Sequence, residues 1–190
     1  MIVISLYDYT GEAVKPWAKA GYECHCYDIQ HDGTKVDRFP SGGSIHYLNA
    51  DLHNYKAHGD LCQSYLYKPV AFGMAFPVCT DLAVSGAAHF ERKRQIDPDF
   101  QKKAAWNAMI CSSFFSKLRV PFFIENPVSV LSTLWRKPDY MFNLMSMVGT
   151  SQRTRQSILC GLNTLHLVMP TLRRLACGQV MGSRCLCLSQ

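Results

Sequence analysis

Apolar runs of strand length alternate with polar turns and helical stretches through the first two thirds of the chain. Met1 to Leu6 is a β-branched run that predicts a buried strand, and Tyr7-Asp8-Tyr9-Thr10-Gly11 follows as a polar turn. Glu12 to Ala20 predicts a short helix, with Thr10 as its cap, Trp17 on its apolar face and Gly21 as its stop. Tyr22 to Tyr27 alternates like a second strand and ends at Asp28, while residues 31–43, rich in Gly, Asp and Pro, predict a loop. Ser44 to Leu48 is a third strand ending near Asp51, and a helix over Tyr55 to Tyr67 returns the chain to a fourth apolar run at Val70. Residues 81–99 predict a long polar connection with a hinge at Ser85-Gly86-Ala87-Ala88. Phe100 to Leu118 has helical periodicity, with Ala104, Ala105, Ala108, Met109, Phe114 and Phe115 available for burial, and a fifth strand follows from Val120. Strand and helix alternate throughout, which predicts an α/β fold with a mostly parallel, doubly wound sheet.

Two of the apolar runs deliver a reactive group where the strand ends. Val70 to Phe76 leads into Pro77-Val78-Cys79-Thr80-Asp81, and Val120 to Ile124 leads into Glu125-Asn126-Pro127. Open α/β sheets bind ligands in the crevice outside the carboxyl ends of their strands. If these two strands are neighbours, a thiol and a carboxyl face one pocket.

Composition narrows the picture. At 190 residues, 48% hydrophobic and 18% charged, the chain is expected to be a globular domain with a sizeable core. Its net charge of +6 hints at a nucleic-acid partner, but the charged residues of 143–190 are five arginines, so residues 1–142 carry 15 basic and 14 acidic side chains. The body therefore gives no electrostatic case for a phosphate backbone. Nine cysteines, an odd number, without an apolar leader over residues 1–20 read as reduced thiols in a cytoplasmic protein with no membrane segment. Cys24, Cys26, Cys62 and Cys111 read as inert buried thiols. Cys24-His25-Cys26 and Cys185-Leu186-Cys187 lack the paired spacing of zinc sites, and no metal is expected. His89, Arg92, Lys93 and Arg94 read as a solvated charged face.

Residues 1–142 resemble the DNA (cytosine-5)-methyltransferases, in particular short phage-encoded cytosine methylases that lack a target-recognition domain. The likeness rests on the Tyr-Asp-Tyr-Thr-Gly turn, on Asp28, on the segment from Phe76 through Cys79 to Ala87, and on Ile124-Glu125-Asn126-Pro127. The resemblance implies a Rossmann-like, S-adenosylmethionine-dependent methyltransferase domain over 1–142, acting as a monomer in the host-cell cytoplasm if phage-encoded. Carbon 5 of cytosine is a poor nucleophile until something adds to carbon 6, and a thiolate adds well and leaves again. By resemblance Cys79 is that nucleophile. Glu125 would hold or protonate ring nitrogen 3, which needs a raised pKa of the kind that burial between Ile124 and Pro127 supplies. The cofactor would lie on Tyr7, Asp8, Thr10 and Gly11, with Asp28 and Ile29 at its ribose, Asp51 near its adenine and Pro77 beside it. Thr80, Ser85, Asn126 and Pro127 would contact the substrate, a cytosine in DNA that is flipped out or single-stranded. Two other readings stay open: the same chemistry on a free cytidine nucleotide or RNA, and a non-catalytic remnant that binds only the cofactor or a partner.

The chain departs from this family at Val78, where a second proline is usual, and in having no arginine-rich strand motif after Glu125. After Phe142 aromatic residues, acids and lysines cease. We read 143–190 as an atypical, poorly ordered tail that is out of frame from residue 144: restoring one base after the Asn143 codon allows the continuation NPYEYGGY that the resemblance predicts, and later PKKTCLW. Read in its own frame, the leucine spacing from Arg155 to Leu172 allows a short amphipathic helix.

Overall fold

The structure, a computed structural model, describes residues 1–33, 35–127, 129–142 and 165–168. Eight strands form one sheet: β1 (Ile2–Leu6), β2 (Glu23–Asp28), β3 (Val36–Arg38), β4 (Ser44–Asn49), β5 (Val70–Ala75), β6 (Phe122–Pro127), β7 (Tyr140–Phe142) and β8 (Leu165–Val168). Their order is β3-β4-β2-β1-β5-β6-β8-β7. The five strands from β4 to β6 run parallel, and antiparallel strands finish both edges. From β1 the chain winds outward through β2 and β4, then crosses back to β5 and β6. The winding therefore reverses between β1 and β5, and a crevice opens at their carboxyl ends.

β1 is buried along its whole length, which is why it reads as unbroken apolar sequence. On one face α1 (Lys15–Lys19) and the preceding loop cover Val3, Cys24, Cys26, Ile45 and Met74. On the other, α2 (Tyr55–Tyr65) and α4 (Phe100–Leu118) bury Ile4, Leu6, Phe122 and Ile124 beneath Tyr65, Phe114 and Phe115. A Cβ on Gly73 of β5 would sit 2.3 Å from the Phe115 ring, so glycine there is what lets α4 approach the sheet. Cys24, Cys26, Cys62 and Cys111 are free and buried. No helix among the described residues is long and apolar enough to cross a membrane.

Several sequence expectations shift. The first helix is only Lys15–Lys19, begins after Val14 and has proline in its first turn, where a missing N–H costs nothing. Thr10 does not cap it; its hydroxyl accepts the Glu12 N–H at 3.3 Å inside the preceding turn. Residues 31–43 include β3, a short polar edge strand whose pairing with β4 carries no apolar signal. The polar connection 81–99 contains a 3-10 helix (Val84–His89) and α3 (Phe90–Ile96), which buries no side chain and so lacks a hydrophobic stripe. Within the tail, Leu165–Val168 is strand where a helix was allowed, and the rest of the tail reading lies outside the described residues. α5 (Leu131–Leu134) follows β6.

Candidate active site

Tyr7, directly after β1, adopts a left-handed backbone (φ 58°) that turns the chain out of the sheet. For a bulky residue this costs on the order of 1–2 kcal/mol. Its hydroxyl donates to the Leu52 carbonyl at 3.3 Å and its ring meets His53 edge-on, which fixes the turn. Burial pushes the Tyr7 phenol far above its ordinary value, so the hydroxyl stays neutral.

Asp8 holds the same turn from inside. Its Oδ1 accepts the Gly11 N–H at 2.8 Å and the Thr10 hydroxyl at 3.4 Å, while Oδ2 accepts the Ser5 hydroxyl at 2.8 Å and the Cys26 thiol at 3.8 Å. Gly11 has φ 68°, and a Cβ there would lie 2.9 Å from the Tyr47 hydroxyl oxygen. Both conditions call for glycine. The turn encloses a cleft of about 450 Å³ lined by Tyr7, Asp8, Thr10, Asp28, Gln30 and Phe76 among others. Gly11 shapes this cleft without lining it.

Asp28 ends β2 and is buried. Its Oδ1 accepts the Gln30 backbone N–H at 2.9 Å and side-chain amide at 3.2 Å. A smaller pocket of about 80 Å³ shares Tyr7, Asp28 and Gln30 with the cleft and adds Ile29, Ala50, Leu52, His53 and Val78. Asp51 lines neither cavity. It is exposed, and its Oδ1 accepts the His53 N–H at 3.0 Å, which makes it the cap of a turn.

Beyond β5, Pro77 is buried, Val78 is 49% exposed and Cys79 is half-buried. The Cys79 carbonyl accepts from the Leu82 and Ala83 N–H groups at 2.9 and 2.8 Å, closing a tight turn. Leu82 is buried, its carbonyl accepts the Val130 N–H at 3.2 Å, and Ala83 forms an antiparallel bridge with Ser129. The cysteine loop is thus fastened to the segment that follows Glu125. Thr80 is exposed on that loop, and Ser85 is exposed on the 3-10 helix that follows it. A larger groove of about 790 Å³ runs from here along α4, lined by His53, Val78, Asp81, Phe100, Trp106 and Asn107 among others. His53 and Val78 border both this groove and the small pocket, so the three cavities adjoin and the residue before Cys79 stands at a junction.

Glu125 leaves the strand next to the cysteine's. Ala75 of β5 is paired with Ile124 of β6, which sets Glu125 level with Phe76, three residues before Cys79. Alternation along β6 turns Phe122 and Ile124 toward α4, and Phe123 and Glu125 toward the opposite face. There Phe123 packs on Phe76, a residue of the 450 Å³ cleft, with ring centroids 5.8 Å apart. Oε1 of Glu125 is buried with no hydrogen-bond partner among the described residues, and burial pushes its carboxyl up to about 7. Asn126 is buried too: its Oδ1 accepts the Ser129 hydroxyl at 3.1 Å, and its Nδ2 has no partner among the described residues. Pro127 is buried at the end of the strand.

No protein-family model matches this chain, and no curated protein does. Among solved structures, it is similar to one described as a candidate DNA modification methyltransferase encoded within an E. coli prophage, with a TM-score of 0.50 and 14% identity. The match covers 88% of this chain and 45% of that one, so the chain spans less than half the length of its structural neighbour. The fold is Rossmann-like, a doubly wound and mostly parallel α/β sheet. Within that fold, the cleft between β1 and β5 and the loops after β5 and β6 are the places where strand ends present side chains to a ligand.

Four residues of the candidate site are not legible in the sequence as site residues. Ser5 and Cys26 hold Asp8, Tyr47 packs under Gly11, and His53 borders two cavities. Ser5 was open to detection, three residues before Asp8 on a strand otherwise apolar. Tyr47 and Cys26 reach the turn only through sheet pairing, which the linear sequence does not display.

Proposed function

We propose that this chain transfers a methyl group from S-adenosylmethionine to carbon 5 of cytosine in DNA, with Cys79 as nucleophile and Glu125 as its partner. The observation that carries this reading is the Glu125 carboxyl, buried without a partner at Oε1 and poised near neutrality, one strand over from a cysteine loop bridged to its own. A structural carboxylate at a strand end is normally hydrogen-bonded or solvated. One held half-protonated suits a ring nitrogen that must gain a proton during attack.

The 450 Å³ cleft fits the methyl donor. Asp28 offers a carboxylate to the ribose hydroxyls, Phe76 in the cleft and Ile29 in the adjoining small pocket offer apolar surface to a purine, and the turn around Gly11 brings backbone close to the amino-acid end. Bound there, S-adenosylmethionine would supply an electrophilic methyl group on a sulfonium. The Cys79 sulfur bonds to carbon 6, and the displaced electron pair makes carbon 5 nucleophilic while Glu125 holds its proton on nitrogen 3. After carbon 5 takes the methyl group, loss of its own proton returns the electron pair and expels the Cys79 thiolate. Asp8 acts indirectly, by keeping the donor turn in shape.

Incubation with methyl-labelled S-adenosylmethionine and, separately, duplex DNA, single-stranded DNA, RNA and dCMP tests the proposal. Label recovered as 5-methylcytosine from either DNA supports it. Label confined to RNA or dCMP moves the same chemistry to that substrate, and label on another base, or none despite cofactor binding, overturns it.

A further inference from the structure

A second cluster of reactive side chains sits at the opposite end of the sheet from the candidate active site. Glu23 opens β2, His25 lies two residues on along the same face, and His46 of β4 is the direct cross-strand partner of His25. One potential ligand atom from each lies within 4.8 Å of the other two. His25 Nε2 is 2.8 Å from Glu23 Oε1, and His46 Nε2 is 4.0 Å from the same oxygen. A tetrahedral zinc ion with bonds of ~2.0–2.2 Å holds its donors roughly 3.3–3.6 Å apart, the middle of that range of spacings. The side chains run from 11% exposed at His25 to 49% at Glu23, so an ion placed among them keeps an open side toward water.

The second feature is the support behind His25. Its Nδ1 is hydrogen-bonded to the Tyr65 hydroxyl, which in turn lies 2.6 Å from the Tyr27 hydroxyl. Metal-binding histidines nearly always have their outer ring nitrogen held in this way. With Nδ1–H donating to Tyr65 and Tyr65 to Tyr27, the lone pair of Nε2 faces Glu23 and His46. The Ser44 hydroxyl, 3.0 Å from His46 Nε2, is the group that an ion would displace from that nitrogen.

We propose that Glu23, His25 and His46 bind one zinc-class divalent ion, with water as fourth ligand, clamping β2 to β4 at the end of the sheet remote from the methyl-transfer site. Two imidazole nitrogens and one carboxylate oxygen suit Zn²⁺ over Mg²⁺ or Ca²⁺, which favour all-oxygen shells. The sequence hid the site because its third ligand arrives by strand pairing rather than by spacing.

Titration of the chelator-treated full chain with Co²⁺, a probe for zinc-class sites, tests this proposal independently of methyl transfer. The expected result is one equivalent giving visible ligand-field bands, without the near-ultraviolet charge-transfer bands of thiolate ligation, and displaced by Zn²⁺. His46→Ala should abolish these bands, and Tyr65→Phe, which keeps the buried ring, should weaken binding by ~10–100-fold. Metal-free melting curves verify that both variants remain folded. Absence of Co²⁺ binding, binding seen only as thiolate charge transfer, or an unchanged titration in His46→Ala overturns the site.

Discussion

Cys79 and Glu125 make different demands on their surroundings, and their substitutions separate accordingly. Cys79 is half-buried in a turn held by its backbone carbonyl, so Cys79→Ala leaves the fold and cofactor binding intact while methyl transfer falls by on the order of 10³-fold or more. Radiolabel transfer, with cofactor affinity measured by calorimetry, checks both halves of that expectation. Glu125 carries a folded-state pKa raised to about 7 by burial. A raised carboxyl pKa means that the folded chain binds more protons than the unfolded one between roughly pH 4.5 and 7. Its favourable contribution is complete below that window and is lost as pH rises through it. Denaturant melts at pH 5 and pH 8 should therefore show the parent losing on the order of 1–3 kcal/mol more than Glu125→Gln across the interval. Equal losses would mean that the carboxyl is not held neutral. The placement of both beside neighbouring strands was legible because each follows an apolar run. The structural duty of Asp8 was not, since its partners Ser5 and Cys26 are set by which face of the sheet a side chain takes.

At the scale of the element, the turn after β1 and α4 depend on close approaches that one methyl group disrupts. Gly11→Ala forces a left-handed alanine against the Tyr47 ring; it should cost ~1–3 kcal/mol and weaken cofactor binding, read by thermal melts with and without S-adenosylmethionine. Phe115, fully buried over Gly73 and stacked on Phe122, should cost ~3–5 kcal/mol when cut to alanine, measured in the same melts. The parallel strands and α4 were readable because two-sided burial and a helical stripe leave clear periodicities in the sequence. α3 and β3 were not, because neither sorts its side chains into a buried and an exposed face.

Across the whole molecule, doubly wound topology follows from the alternation of elements, and it sets Cys79 and Glu125 on neighbouring strand ends. Beyond Phe142 the elements are harder to read: an abrupt loss of acids, lysines and aromatics marks a boundary, yet Leu165–Val168 pairs antiparallel with β6 and with β7. That pairing covers the outer edge of β6, an otherwise open row of hydrogen-bonding groups. A chain ended after Phe142 should accordingly self-associate with rising concentration, measured by size-exclusion chromatography with light scattering, whereas the full chain should not. We hold to the proposal that 144–190 is out of frame, and the sequence of the encoding DNA decides it. The central claim concerns one covalent bond, from the Cys79 sulfur to carbon 6 of cytosine. Duplex DNA carrying 5-fluorocytosine stalls the reaction after methyl transfer, because the fluorine that replaces the carbon-5 hydrogen cannot leave as a proton. Incubation with that DNA and S-adenosylmethionine, followed by denaturation and peptide mass spectrometry, should give a stable protein–DNA adduct on the peptide containing Cys79. An adduct on a different cysteine, or methyl transfer that persists in Cys79→Ala, would contradict the account.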